Sequence, residues 1–275
     1  MTGELFKDAS MTLQQLFKER VTAGHKLLVP YLCAGFPAES ATLPLLEALV
    51  EGGADAIELG IPFSDPPMDG PVIQAASQRA LAGGMTLAKA LGIARAFTSR
   101  NKTPLLLMSS FNPLLRLGPE VFARRAREAN LAGCIIPDLP PEAQYLLPGA
   151  PPLVQLVAPN TPAARIQNLA KRKPPFFYGV SVFGVTGTRA ALAEYTLPFL
   201  RRVKESTDIP LLAGFGVSTP EQARELAASC DGVIVGSALL RALEVCVGTT
   251  ELTAAARGFV ESFRMALDST PVQAR

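Results

Sequence analysis

Eight short apolar runs, each bounded by glycine or proline, recur along this chain at residues 27–33, 56–60, 104–108, 133–137, 153–157, 176–182, 210–213 and 232–235. Most are followed by a stretch of helical periodicity. Their near-continuous apolarity suits parallel strands covered on both faces, because a half-exposed strand would alternate apolar with polar residues. Amphipathic stretches fill the intervals at 41–52, 85–100, 119–130, 197–206 and 219–228. Several carry start signals: Ser40, Thr86, and Thr219-Pro220-Glu221 with proline and acid in the first turn. Eight strand–helix units over most of the chain predict a (β/α)8 TIM barrel. A doubly wound open sheet is the alternative. An extra N-terminal helix over 11–21 is expected to cap the barrel bottom, and a helix over 251–267 to close it. The proline-rich segment 137–162 reads as an irregular connection with a short helix, so residues 1–275 form one domain.

Composition narrows the function. With 48% hydrophobic and 18% charged residues, the chain has material for a large core and does not read as disordered. A net charge of +2 gives no bulk attraction to nucleic acid or to an acidic membrane. No apolar run approaches the ~20 residues that span a bilayer, and the polar, mixed-charge start at Met1 is not a signal peptide. Cys33, Cys134, Cys230 and Cys246 form no Cys-x-x-Cys or metal-ligand spacing and read as buried thiols of a reducing compartment. These features predict a cytoplasmic protein. His25 is the single histidine, upstream of the first strand, so zinc sites and histidine triads are not expected. Chemistry falls to carboxylates, Lys, Tyr, Ser or Cys.

Barrels carry their active sites at the C-terminal ends of strands and in the loops that follow. The stretch 54–71 places one carboxylate, Glu58, inside the second apolar run and delivers another, Asp69, from a Pro/Gly-stiffened loop. Burying a carboxylate costs several kcal/mol, ~2–7 even for a neutral polar group left without a partner, so acid–base chemistry is the leading reason for Glu58. A structural carboxylate paired with Tyr178 or a backbone amide is the other reading, and for Asp69 a turn-forming role before Gly70-Pro71. Asn112 and Asp138 follow strands 3 and 4, and Asp138 reads as structural. Glycine loops follow strands 6, 7 and 8: Gly184 to Arg189, Gly214-Phe215-Gly216, and Gly236-Ser237 at a helix start. Backbone N–H groups exposed by glycine, with a helix N-terminus, make a phosphate site there. Tyr31, Phe63, Phe111, Tyr178 and Phe215 fall at strand ends or loops and wall an aromatic pocket or pack in the core.

The motifs Pro30-Tyr31-Leu32-Cys33-Ala34-Gly35-Phe36-Pro37, Leu59-Gly60-Ile61-Pro62-Phe63-Ser64-Asp65-Pro66, Asp69-Gly70-Pro71-Val72-Ile73-Gln74, Pro137-Asp138-Leu139-Pro140, Gly184-Val185-Thr186-Gly187 and Gly214-Phe215-Gly216 occur in order. Together they resemble the tryptophan synthase alpha subunit family from about residue 10 to 268. The resemblance implies a retro-aldol lyase that splits indole-3-glycerol phosphate into indole and glyceraldehyde 3-phosphate. It implies Glu58 as general acid–base and Asp69 as the group handling the indole N–H. Substrate and phosphate contacts are expected from Gly184, Thr186, Gly187, Phe215, Gly216, Gly236, Ser237, Tyr178 and Tyr31, with Thr186 clamping a lid through Asp69. No cofactor is expected in this chain, pyridoxal phosphate (PLP) being used by a beta-subunit partner in an alpha2beta2 tetramer that joins indole to serine. A stand-alone lyase releasing free indole and a weakly catalytic activator of the beta subunit are the alternatives. The chain departs from the family at Pro67, at Ser110, and in a connection from Asp138 to Asn160 several residues short. All three lie in loops expected to move or to meet the beta subunit.

Overall fold

A computed structural model describes residues 11–180, 195–214 and 216–270. All eight expected strands form: β1 Leu27–Cys33, β2 Ile57–Gly60, β3 Leu105–Met108, β4 Gly133–Ile135, β5 Gln155–Val157, β6 Phe177–Val180, β7 Leu211–Gly214 and β8 Gly232–Val235. Every pairing is parallel, in the order β4-β3-β2-β1-β8-β7-β6-β5. A single parallel bridge, Cys134 to Leu153, joins the two ends. The sheet is thus a closed barrel and not an open doubly wound sheet.

Its core has two parts, as the double-sided apolarity of the strands requires. Leu27, Val29, Leu106, Val154, Phe176 and Leu212 fill the barrel interior. The larger shell lies between the strands and the outer helices. Helix α1 (Leu13–Thr22) drives Leu13, Leu16 and Phe17 into the interior cluster, with Phe17 and Phe176 ring centroids 5.7 Å apart. The expected N-terminal cap of the barrel bottom is therefore present, started by a Thr12–Gln15 capping box.

The outer helices are α2 (Glu39–Glu51), α3 (Pro71–Ala82), α4 (Leu87–Thr98), α5 (Phe111–Leu117), α6 (Pro119–Glu128), α7 (Ala163–Ala170), α8 (Thr196–Ser206), α9 (Pro220–Ala227), α10 (Ser237–Glu244) and α11 (Thr249–Asp268). Thr86 and Thr219 cap their helices through side-chain oxygens, as read from sequence. Ser40 does not: α2 begins two residues earlier than expected, at Glu39 behind Ala38, which makes no side-chain cap. Helices α3, α5 and α7 were not anticipated. The segment after β4 holds only a six-residue 3-10 helix, Pro141–Leu146.

Buried acids lock the barrel's N-terminal face. Asp55, 3% exposed and just ahead of β2, accepts the Leu28 N–H at 2.7 Å and ion-pairs with Arg20 and with Arg264 at 3.1 Å. His25 Nε2 lies 3.0 Å from the same carboxylate, so the lone histidine serves this cluster, at the end of the barrel away from the strand C-termini. Asp231 repeats the arrangement ahead of β8, taking the Leu211 N–H at 2.8 Å and Lys204 Nζ at 2.6 Å.

Candidate active site

Glu58 is the second residue of β2 and pairs in register with Tyr31 of β1 and Leu106 of β3. Its side chain is 0% exposed, and neither carboxyl oxygen has a hydrogen-bond partner among the described residues. The structural alternative, a carboxylate paired with Tyr178 or an amide, is not what the structure holds. Burial first, and the nearby Asp69 charge second, push its pKa up to about 8. Near neutral pH Glu58 therefore keeps its proton and is poised to give it up or take it back.

Asp69 comes from the loop between β2 and α3 and lines the same cavity of about 200 Å3. Partial burial raises its pKa to about 6. Its backbone oxygen accepts a 2.8 Å bond from Gln74 Nε2, tying the loop to the first turn of α3. Two carboxyls with separated pKa values on one cavity suit proton donation by one and charge stabilisation by the other.

Tyr31 and Tyr178 line this cavity from β1 and β6, and burial holds both hydroxyls well above the usual tyrosine range. Each ring lies over a glycine on the next strand. A Cβ on Gly60 would meet the Tyr31 hydroxyl at 2.2 Å, and one on Gly214 the Tyr178 ring at 2.3 Å. Sequence reading did not find these seats, since they depend on register between strands. Gly60→Ala should push the Tyr31 ring into the cavity, costing about 1–3 kcal/mol of stability and raising KM for any planar substrate. Denaturant unfolding with steady-state kinetics checks this, and an unchanged KM would contradict it.

Gly216 and Ser218 after β7, and Gly236 and Ser237 after β8, close the opposite side of the cavity. Gly216 has φ +87°, a left-handed conformation that glycine adopts without strain. Gly236 caps α10, whose first N–H groups have no intrahelical acceptor and carry the positive end of the helix dipole. This side can hold an anion by backbone amides. Gly184, Thr186, Gly187 and Phe215 lie outside the described residues. Among residues without a role assigned from sequence, Gly70, Ile73, Met108, Val217 and Ile234 complete the wall. Met108 and Ile234 follow from strand alternation near β-strand ends, a signal that was present.

Two sequence expectations change place. Phe111 does not wall the cavity: it opens α5 and packs against the outer core, with its N–H held by Asp138 Oδ1 at 2.8 Å. That bond also makes Asp138 a helix-capping group, in keeping with its structural reading. Phe63 lines a small recess of about 20 Å3 beside the cavity, together with Pro67, Ser110 and Asp138.

Residues 17–266 match the family model described as tryptophan synthase alpha chain. A tryptophan synthase alpha chain from Oceanobacillus iheyensis is 42% identical over 84% of this chain and 90% of its own length. One from Phenylobacterium zucineum is 43% identical over 91% of this chain and 93% of its own. Among solved structures, the tryptophan synthase alpha chain from Legionella pneumophila superposes with a TM-score of 0.85 at 32% identity, covering 96% of this chain and 100% of that one.

Proposed function

The chain belongs to the tryptophan synthase alpha chain family, and from that premise we propose how its cavity performs the family's lyase step. The chain is an enzyme of tryptophan biosynthesis: it cleaves indole-3-glycerol phosphate to indole and glyceraldehyde 3-phosphate, the alpha reaction. Glu58, protonated, donates its proton to indole C3, which leaves positive charge on the ring nitrogen. Asp69, ionised, stabilises that N–H. The Glu58 carboxylate then takes the proton from the side-chain hydroxyl next to the breaking carbon–carbon bond. The bond opens, the electrons return to the indole ring, and Glu58 ends protonated as it began. Tyr31 and Tyr178 hold the bicycle. Gly216, Gly236 and Ser237, with Gly184, Thr186, Gly187 and Phe215, grip the phosphate, whose binding energy orients a bond it does not touch.

The observation that carries this assignment is Glu58 itself, a carboxyl without a hydrogen-bond partner among the described residues, on a cavity shared with Asp69. In this family the alpha chain needs no cofactor of its own. On our reading a beta subunit binds PLP, receives the indole and assembles with this chain as an alpha2beta2 tetramer, and residues 1–275 act as one barrel domain. No helix of the described residues is long and apolar enough to cross a membrane, and we assign the enzyme to the cytoplasm. The Mycobacterium tuberculosis structures similar to this chain carry the name tryptophan synthase, which supports a partnered assembly. A spectrophotometric assay of indole formation, with and without beta subunit, tests the reading: cleavage that the partner stimulates supports it, and no cleavage in either condition overturns it.

The working proton states set the pH profile. Asp69 must be ionised and Glu58 protonated, so kcat/KM should rise through about pH 6 and fall through about pH 8. Asp69→Asn should remove the acid limb and move the alkaline limb to lower pH, because the charge that helps raise Glu58 is gone. A profile flat from pH 5 to 9, taken as about that span from the two limbs, would contradict these roles.

A further inference from the structure

Tyr31 stands beside Glu58 in the barrel wall, yet its hydroxyl does not meet the Glu58 carboxyl. The two residues are Cα partners on β1 and β2, and both line the cavity. The Glu58 oxygens nonetheless have no hydrogen-bond partner among the described residues. The cause lies two residues further along the same strands, where Cys33 faces Gly60. A Cβ on Gly60 would run into the Tyr31 hydroxyl, so the ring leans forward over the glycine and carries its oxygen to the level of Cys33. There the hydroxyl hydrogen-bonds the Cys33 thiol. The thiol in turn lies 3.9 Å from Ser77 Oγ on α3.

Tyr31, Cys33 and Ser77 are all buried, so water does not compete for these groups. A buried hydroxyl keeps the partner it has, because leaving it unpaired is costly. Deprived of the thiol, Tyr31 has the unpaired Glu58 carboxyl as its acceptor on the cavity side. A tyrosine O–H donated to a carboxylate favours the ionised form, whereas burial and the Asp69 charge favour the protonated one. Tyr31 from β1, Asp69 from the loop after β2 and Tyr178 from β6 are the titratable groups that share the cavity with Glu58. Met108 of β3 and Ile234 of β8 add none.

We propose that the buried chain Tyr31–Cys33–Ser77 holds the Tyr31 hydroxyl forward over Gly60 and so denies Glu58 a donor, preserving its unpaired state. Cys33 does not line the cavity and acts through Tyr31, which makes it a positioning residue for the cleavage. The chain ends on α3, the helix that follows the Asp69 loop, so one element serves both carboxyls. The inference rests on Glu58 as the acid–base group proposed above.

Infrared difference titration of the Glu58 carboxyl, each protein against its own Glu58→Gln version, tests this without requiring turnover. Cys33→Ala should release the hydroxyl to Glu58 and lower the midpoint from about 8 by about 1–2 pH units, the scale of a hydrogen bond to a charged group. Cys33→Ser keeps a hydrogen-bonding side chain and should stay near the parent midpoint. Adding Tyr31→Phe to Cys33→Ala should restore the parent midpoint, because the migrating hydroxyl is gone. Tyr31→Phe alone keeps the ring on its seat and should not move the midpoint; this arm holds even where Cys33→Ala does not fold. An unmoved midpoint in Cys33→Ala, a double variant that fails to recover, or a shift in Tyr31→Phe alone overturns the proposal. Failure to release indole from indole-3-glycerol phosphate would instead sink the lyase reading, and the midpoints are read separately from it.

Discussion

Glu58→Gln should lower the rate of indole release about 10²–10⁴-fold, the usual contribution of a positioned general acid–base group. The amide keeps the size and shape of the side chain but neither gives nor takes a proton at working pH. The same variant should be no less stable. Between the ordinary 4.5 and about 8, the folded chain holds a proton at Glu58 that the unfolded chain has released, so stability falls as pH rises across that window. The variant escapes this loss. Above about pH 8 it should exceed its parent by on the order of a few kcal/mol, each pK unit being worth about 1.4. Single-turnover kinetics and urea unfolding at two pH values measure both effects. Near-normal turnover, or a variant destabilised at alkaline pH, would contradict the account of this residue.

Asp55→Ala should act in the opposite sense, costing about 3–5 kcal/mol of stability, the range for breaking a buried ion pair from one side. The substitution leaves Arg20 and Arg264 close together without their shared counter-ion and strips the Leu28 N–H of its acceptor. It also unties α1, β1, the start of β2 and α11, which this one side chain joins. Because this cluster lies on the N-terminal face, kcat per folded molecule should stay near the parent value. The denaturant midpoint should fall with m unchanged. A loss under about 1 kcal/mol would mean the cluster is no stronger than a surface pair.

Much of this is legible in the sequence alone. The eight apolar runs match the strands because a fully covered parallel strand has almost no polar residues to blur its limits. Glu58 stood out for the same reason, as a charge in an apolar run. Two of the helices that escaped notice, α3 and α5, carried misleading proline. Pro71 looks like part of the preceding loop but occupies the first turn of α3, where its missing N–H costs nothing. Pro113 inside α5 broke the pattern there. The tyrosine–glycine seats and the Asp55 cluster were hidden for another reason. Each depends on which strand or helix lies alongside, and the partners of Asp55 stand 35 and 209 residues away in the chain.

The central claim is that Glu58 remains a protonated acid near neutral pH because it is buried with no hydrogen-bond partner among the described residues. Infrared difference titration of the carboxyl stretch, parent minus Glu58→Gln, observes that proton directly. The account predicts a midpoint near 8. A midpoint in the ordinary carboxylate range, at or below the usual 4.5, would contradict it.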